Sequence, residues 1–289
     1  MGLDDWRRLL DLKVFLAVLA AAFMHAGWNV IVKLRLDRFL SLFLIQGLMG
    51  VMGLAMLAVF AFPAPASLPY VVTSGALHLG YNLFLARSYR TGDLSQVYPI
   101  ARGAAPLLTL LVTWFVVHED AGINSAIGIA VLVAGIWLVS LAGRRAVRLD
   151  GKTLFFALGT SVFIAAYTIV DGLGGRLSGS PSGYAALLFV IDAVFLTLTA
   201  VATRGPAVFA QVAPHWKMGT AGGLLSAGAY WIAIWAMTHA PIAAVAALRE
   251  TSILFVILMS MRVLQETVTL PRIGGALLIA AGAVMLRLA

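Results

Sequence analysis

The sequence predicts an all-α membrane protein: ten transmembrane helices arranged as two inverted five-helix repeats. Three observations predict it. First, hydrophobic residues make up 62% of the 289-residue chain and charged residues only 11%. Globular proteins run at about 45–50% and about 25%, so these charges could not cover a water-soluble surface, and the mean hydropathy of +0.98 makes lipid the solvent. Second, the apolar residues gather into ten runs of spanning length, since one helix needs about 20 residues to cross a hydrocarbon core of about 30 Å. Third, the chain repeats internally, with 73–142 falling on 220–289 without a gap at an offset of 147 positions.

The runs are 14–32, 39–60, 68–86, 95–117, 121–141, 154–170, 184–201, 218–238, 242–264 and 270–288. Arg7, Arg8 and Lys13 before the first run, and Ala20, Ala21 and Ala22 inside it, imitate a secretion signal. The run continues through Trp28 and Ile31 to spanning length, so it is expected to remain as the first helix. Pro63, Pro65 and Pro69 punctuate the end of the second run, Gly143, Arg144 and Arg145 that of the fifth, and Gly205 and Pro206 that of the seventh. No gap is long enough for a soluble domain. Barrel strands would alternate apolar and polar residues, whereas 126–141 is apolar on every face.

At the offset of 147, Arg102 meets Arg249, Glu119 meets Glu266, Gly128 meets Gly275 and Gly135 meets Gly282. Ala- and Leu-rich segments match by coincidence, but an intramembrane Arg, a helix-end Glu and a Gly pair at one offset do not. The first helices align less closely, Trp28 falling near Tyr167. The expected units are 1–142 and 154–289, each a five-helix repeat, joined by a short connection at 143–153. Five is odd, so the second unit starts on the opposite face and the two are inverted copies. Such repeats are frequent in secondary transporters, with the site near mid-membrane at their interface. Ten is even, so both termini are expected on one face.

Which face that is stays open. Lys and Arg crowd the odd-numbered connections (Lys33, Arg35, Arg38; Arg87, Arg90; Arg144, Arg145, Arg148, Lys152; Arg204, Lys217; Arg262, Arg272), while Arg7, Arg8 and Lys13 oppose them. The rule that cytoplasmic loops carry the positive charge therefore points both ways. The net charge of +8 sits between the runs rather than on one basic face, which argues against nucleic acid. The absence of cysteine excludes disulfides and thiolate chemistry.

Three segments resemble the EamA family of the drug/metabolite transporter superfamily: His25-Ala26-Gly27-Trp28-Asn29 with Lys33; Tyr98-Pro99-Ile100-Ala101-Arg102-Gly103-Ala104-Ala105-Pro106 with Glu119; and Ala247-Leu248-Arg249-Glu250-Thr251-Ser252 with Glu266. The resemblance spans essentially the whole chain. It implies a multi-pass carrier of the cell (inner) membrane, with no cofactor, and usually with both termini cytoplasmic. The superfamily's four-helix drug exporters carry a carboxylate midway along the first helix. This chain has His25, Trp28 and Asn29 there, so their proton-coupling scheme does not transfer.

A charge near the bilayer centre costs roughly 2.5–3.5 kcal/mol on insertion scales, so each needs a reason. Arg102 and Arg249 lie about equally deep in their runs. They are expected to flank a central cavity that attracts anionic or zwitterionic groups, the alternatives being snorkelling or a static pair with a buried carboxylate. Glu250 and Asp192 are the deepest carboxylates and candidates for a coupling proton, or else structural hydrogen-bonders. Asp171, at the expected end of the sixth helix, is expected at the interface. Pro99, Pro106 and Pro241 are expected to loosen the backbone beside Arg102 or to kink the helix entry. His25, Trp28 and Asn29, then His78, Tyr81 and Asn82, and further Tyr98, Tyr167, Tyr230 and Trp231 mix aromatic faces with polar groups, as small-molecule sites do. Such residues also form interfacial belts and interhelical contacts. The five scattered histidines suggest no metal site. Gly128, Gly135, Gly219, Gly223, Gly275 and Gly282 are expected to let helices approach closely.

The expected function is alternating-access transport of a small polar or zwitterionic metabolite, amino-acid-like or drug-like, with export as its direction. The expected partners are that substrate and the bilayer, and the expected state is a monomer or weak dimer. Two alternatives belong to other classes. One is a membrane-embedded enzyme acting on a lipid or lipid-linked substrate. Asp171-Gly172-Leu173-Gly174-Gly175-Arg176 imitates the start of a phosphotransferase motif, but only Asp192 follows where further carboxylates are needed. The other is a passive channel, for which no filter-like segment is present.

Overall fold

The computed structural model describes residues 10–32, 38–91, 94–141, 151–263 and 269–289. Lys33, Arg35, Arg144, Arg145, Arg148 and Glu266 lie outside the described residues, as do the side chains of Arg38, Arg90, Tyr98, Pro99 and Arg262. Among the described residues there is no strand. The first to fifth helices are Leu12–Val32, Arg38–Leu57, Leu68–Thr91, Leu94–Val112 and Ile123–Leu141. The sixth to eighth are Gly151–Leu177, Pro181–Arg204 and Trp216–Met237, and the tenth is Leu270–Leu288. The ninth run forms two half-helices, Ile242–Arg249 and Ser252–Val263.

Among the described residues, nine segments are long and apolar enough to cross a bilayer. The third helix has the length but is diluted by Ser74, His78, Tyr81, Asn82 and Ser88. Four of these are buried, so its polarity faces protein rather than lipid, and the ten-span reading holds. The outer surface carries exposed Phe, Leu and Val, such as Phe115, Phe155, Leu198 and Leu277.

Inversion is visible in the packing of the fifth helix on the tenth. A Cβ on Gly135 would lie 2.6 Å from Gly275 O and 2.7 Å from Ile279 N; one on Gly282 would lie 2.7 Å from Gly128 O and 2.6 Å from Leu132 N. Each of these atoms is the repeat mate of its counterpart, and the partner numbers fall on one helix as they rise on the other. The helices therefore run antiparallel about a two-fold axis, with backbones touching at small residues. Gly219 and Gly223 instead make room for the Leu44 and Leu48 side chains of the second helix. Elsewhere the halves interleave: the second helix packs on the seventh, the third on the sixth and the first on the eighth.

The even-numbered connections meet one another. Ala64 N donates to Ser178 O at 2.8 Å, joining the second–third and sixth–seventh connections. Glu119 accepts from the Arg176 guanidinium at 2.6 Å and, through its other oxygen, from Ile242 N at 3.0 Å. Arg176 also donates to Met237 O and Ala240 O. The end of the fourth helix thus caps the start of the ninth, its repeat mate. This again requires the two to be antiparallel, and it satisfies a helix N-terminus with a carboxylate.

Glu119 owes its position to an unusual helix end. The fourth helix widens to a π turn over Thr113–Val117 and stops at His118, whose φ is +59°. Glu119 N then donates back to Thr113 O at 2.9 Å. This is the left-handed stop that glycine normally supplies. His118→Gly is expected to stabilise the protein by about 1 kcal/mol, read as a higher melting temperature in detergent. An unchanged or lower one would mean that the imidazole contributes more than its backbone costs.

Candidate functional site

Arg102 and Glu250 join the two halves at the centre. Arg102 Nε donates to Glu250 Oε2 at 3.0 Å, both residues being buried. Arg249, the repeat mate of Arg102, has no carboxylate within ion-pair distance among the described residues. Its guanidinium lies over the Tyr230 ring, 4.9 Å from the centroid, a cation–π contact. Arg102, Arg249, Glu250, Tyr167, Thr109 and Thr168 line one small cavity, with room for about one water molecule. The arrangement offers a cation and a carboxylate to a polar guest, in a space too small in this conformation for anything larger than water.

The backbone beside this cavity differs from the proline expectation. The fourth helix is continuous from Leu94 to Val112 despite Pro99 and Pro106. The irregularity lies in the ninth run, where Glu250 and Thr251 separate the half-helices and Pro241 merely precedes the first of them. Here Glu250, Thr251, Ile253 and Leu254 donate to carbonyls three residues back. Thr251 Oγ1 donates to Leu248 O at 2.7 Å, a side-chain competitor for a backbone acceptor. Interrupted helices inside a membrane occur where they are buried or line a cavity.

A second polar cluster lies behind the cavity. His78 Nδ1 is 3.3 Å from Asp192 Oδ2 and 3.4 Å from Ser74 Oγ. The His78 ring lies 4.1 Å from that of Tyr167, and Tyr167 continues to Tyr81 and Tyr230. Asp171 overturns its interfacial expectation: it is 0% exposed. It accepts from Tyr184 Oη at 2.9 Å and from Tyr230 Oη. The sixth helix runs on to Leu177, beyond the end of the apolar run at residue 170. Gly172, Gly174 and Gly175 receive Ile242, the Tyr184 ring and Ile234. The sequence also gave no sign of the Glu119–Arg176 contact.

The remaining candidates are dispersed. Trp28 Nε1 donates to His25 Nδ1 at 3.2 Å, and Asn29 to His25 O at 2.8 Å. Asn82 is buried one turn from His78. Trp231 Nε1 donates to Ser182 Oγ at 2.9 Å, and its ring meets Phe60, which puts it beside the seventh helix start rather than at the cavity. Tyr98 lies on the fourth helix, with its side chain outside the description. Among the described residues no group of three metal-ligating side chains comes together.

The EamA-like transporter family model matches residues 12–141 and again 151–288. The chain belongs to the EamA-like transporter family. Both family units are present, and a multi-pass membrane transporter follows. No curated protein matches the sequence. A solved crystal structure described only as that of a protein is similar to this EamA-like chain with a TM-score of 0.74, covering 94% of each chain at 16% identity. That likeness supports the fold alone.

Proposed function

We propose that this EamA-like protein is a secondary carrier that moves a small polar or zwitterionic metabolite, amino-acid-like or drug-like, across the cell inner membrane by alternating access, with export as its direction. One observation carries the reading: the small cavity between the halves is lined by an Arg102–Glu250 ion pair and by Arg249, a guanidinium with no carboxylate within ion-pair distance among the described residues. A cargo carboxylate would replace the Tyr230 ring at Arg249, and a cargo ammonium would meet Glu250. The aromatic wall of Tyr167 and Tyr230, extended by Tyr81, His78 and Asn82, would hold the apolar part. His25, Trp28 and Asn29, with Tyr98 and Trp231, would line the route. A proton on Glu250 or Asp192 would supply the drive.

The test is a thermal-shift screen of the purified chain against amino acids and other organic zwitterions, followed by counterflow in proteoliposomes. A ligand at 100 times its Kd stabilises by about 2.7 kcal/mol. The expected result is a zwitterion hit that shows counterflow and is lost in Arg249→Gln. Hits confined to apolar molecules, or hits unaffected by Arg249→Gln, would overturn the assignment.

A further inference from the structure

Among the described residues three carboxylates are buried, Glu250, Asp171 and Asp192, and their surroundings differ. Glu250 is paired with Arg102. Asp171 accepts a hydroxyl hydrogen at each oxygen, from Tyr184 and Tyr230. Both are satisfied as anions. Asp192 is not: Oδ2 faces His78 Nδ1, while Oδ1 is buried with no hydrogen-bond partner among the described residues. An ionised carboxylate left in that condition is costly; a proton on Asp192 removes its charge, and one on His78 offsets it across the 3.3 Å contact.

The local charge leads to the same place. Two guanidiniums, Arg102 and Arg249, stand against three carboxylates, Glu250, Asp171 and Asp192. His25 accepts from Trp28 at Nδ1 and is a neutral ring in that arrangement. One negative charge is left over, and a single proton on His78 or Asp192 cancels it. The other groups facing the pair add no charge beyond those counted: Asp171 and Tyr167 from the sixth helix, Tyr184 from the seventh, Tyr230 from the eighth and Arg249 from the ninth. The second helix, packed against the seventh, has no titratable residue from Phe39 to Leu57. The pair also bridges the repeats, His78 coming from the first half and Asp192 from the second.

We propose that His78 and Asp192 together hold the single exchangeable proton of this carrier, and that Glu250 does not. The inference rests on the carrier reading and refines it. Reorientation passes through the closed state, and the empty closed state is neutral only with the proton aboard. When the cavity opens to water the pair can release the proton to that side, only an O–H or N–H bond being broken and the electron pair staying on the protein atom. The empty carrier therefore returns protonated. Tyr230, whose ring meets both His78 and the Arg249 guanidinium, links the pair to Arg249, so a cargo carboxylate displacing Tyr230 would disturb it.

The test is an infrared pH titration of the full chain in lipid, with no cargo present and the proton as the probe. The expected result is one protonated-carboxyl band that titrates together with a histidine ring band. Asp192→Asn abolishes the carboxyl band and Glu250→Gln leaves it. If Asp192→Asn does not fold, His78→Gln decides, its expected effect being loss of the ring band and a carboxyl midpoint moved by about one pH unit or more. A carboxyl band that survives Asp192→Asn, disappears only in Glu250→Gln, or keeps its midpoint in His78→Gln overturns the proposal. Counterflow is read separately. A titrating Asp192 band in a protein that shows no counterflow supports the site and sinks the carrier reading. Counterflow without that band does the reverse.

Discussion

Gly135→Leu is expected to be among the most damaging single substitutions in this protein, although it adds only apolar atoms to an apolar segment. At Gly135 the first added carbon meets Gly275 O at 2.6 Å and Ile279 N at 2.7 Å. These are backbone atoms of a facing helix and cannot rotate away, so the fifth and tenth helices must separate. Overpacking of this kind typically costs 1–3 kcal/mol and occasionally more, and here a whole helix pair moves. Gly282→Leu should cost about as much, because it meets the symmetry-related atoms Gly128 O and Leu132 N. Gly274→Leu, one residue from the contact and facing only a Leu138 side-chain atom at 3.6 Å, is the control and should be nearly neutral. The double variant Gly135→Leu with Gly282→Leu should cost less than the two singles added, since one separation makes room for both. Melting temperatures in detergent would check all four. A Gly135→Leu protein as stable as Gly274→Leu would mean that the backbones are not in contact.

This contact was legible beforehand because its signal is local. Glycines recurring at a helical interval, and again at the repeat offset of 147, have few other uses in an apolar helix. The spans and their inversion were legible for a similar reason: hydrophobic length and odd helix number constrain topology before any packing is known. What the sequence concealed was which polar groups meet. Asp171 looked terminal because the apolar run ends at residue 170, where Gly172, Gly174 and Gly175 follow. In the fold they are clearances for Ile242, Tyr184 and Ile234, and the helix passes through them. The prolines misled in the opposite direction. The fourth helix stays continuous through Pro99 and Pro106, while the break falls at Glu250–Thr251, where Thr251 takes the carbonyl of Leu248. A hydroxyl beside a buried charge in an apolar run was the available signal. The His78–Asp192 and Asp171–Tyr184 contacts depend on how the helices are rotated, which periodicity cannot report when the helices are apolar all round.

Arg102→Met and Glu250→Met made separately should each destabilise the protein by about 3–5 kcal/mol, because either leaves its partner buried and uncompensated. Combining them removes both charges, and replacement of a buried pair by apolar residues is often neutral or stabilising. The double variant should therefore recover most of the lost stability. Function separates two roles that a single substitution confuses. If the pair serves only to hold the halves together, the double variant should regain ligand-induced thermal shift and counterflow along with its melting temperature. The cavity predicts otherwise. Arg102 and Glu250 are polar groups on its wall, and a zwitterion entering there needs a carboxylate for its ammonium and a guanidinium beside it. With methionine at both positions the wall is apolar on that side, so stability should return while the zwitterion response stays absent. Swapping the charges, Arg102→Glu with Glu250→Arg, makes the sharper comparison. The pair could reform with its net charge unchanged, yet each charge would approach the cargo from the opposite half. A swapped protein that is stable but fails to respond would place the pair in recognition of the cargo, whereas full counterflow by the Met–Met variant would remove it from that role.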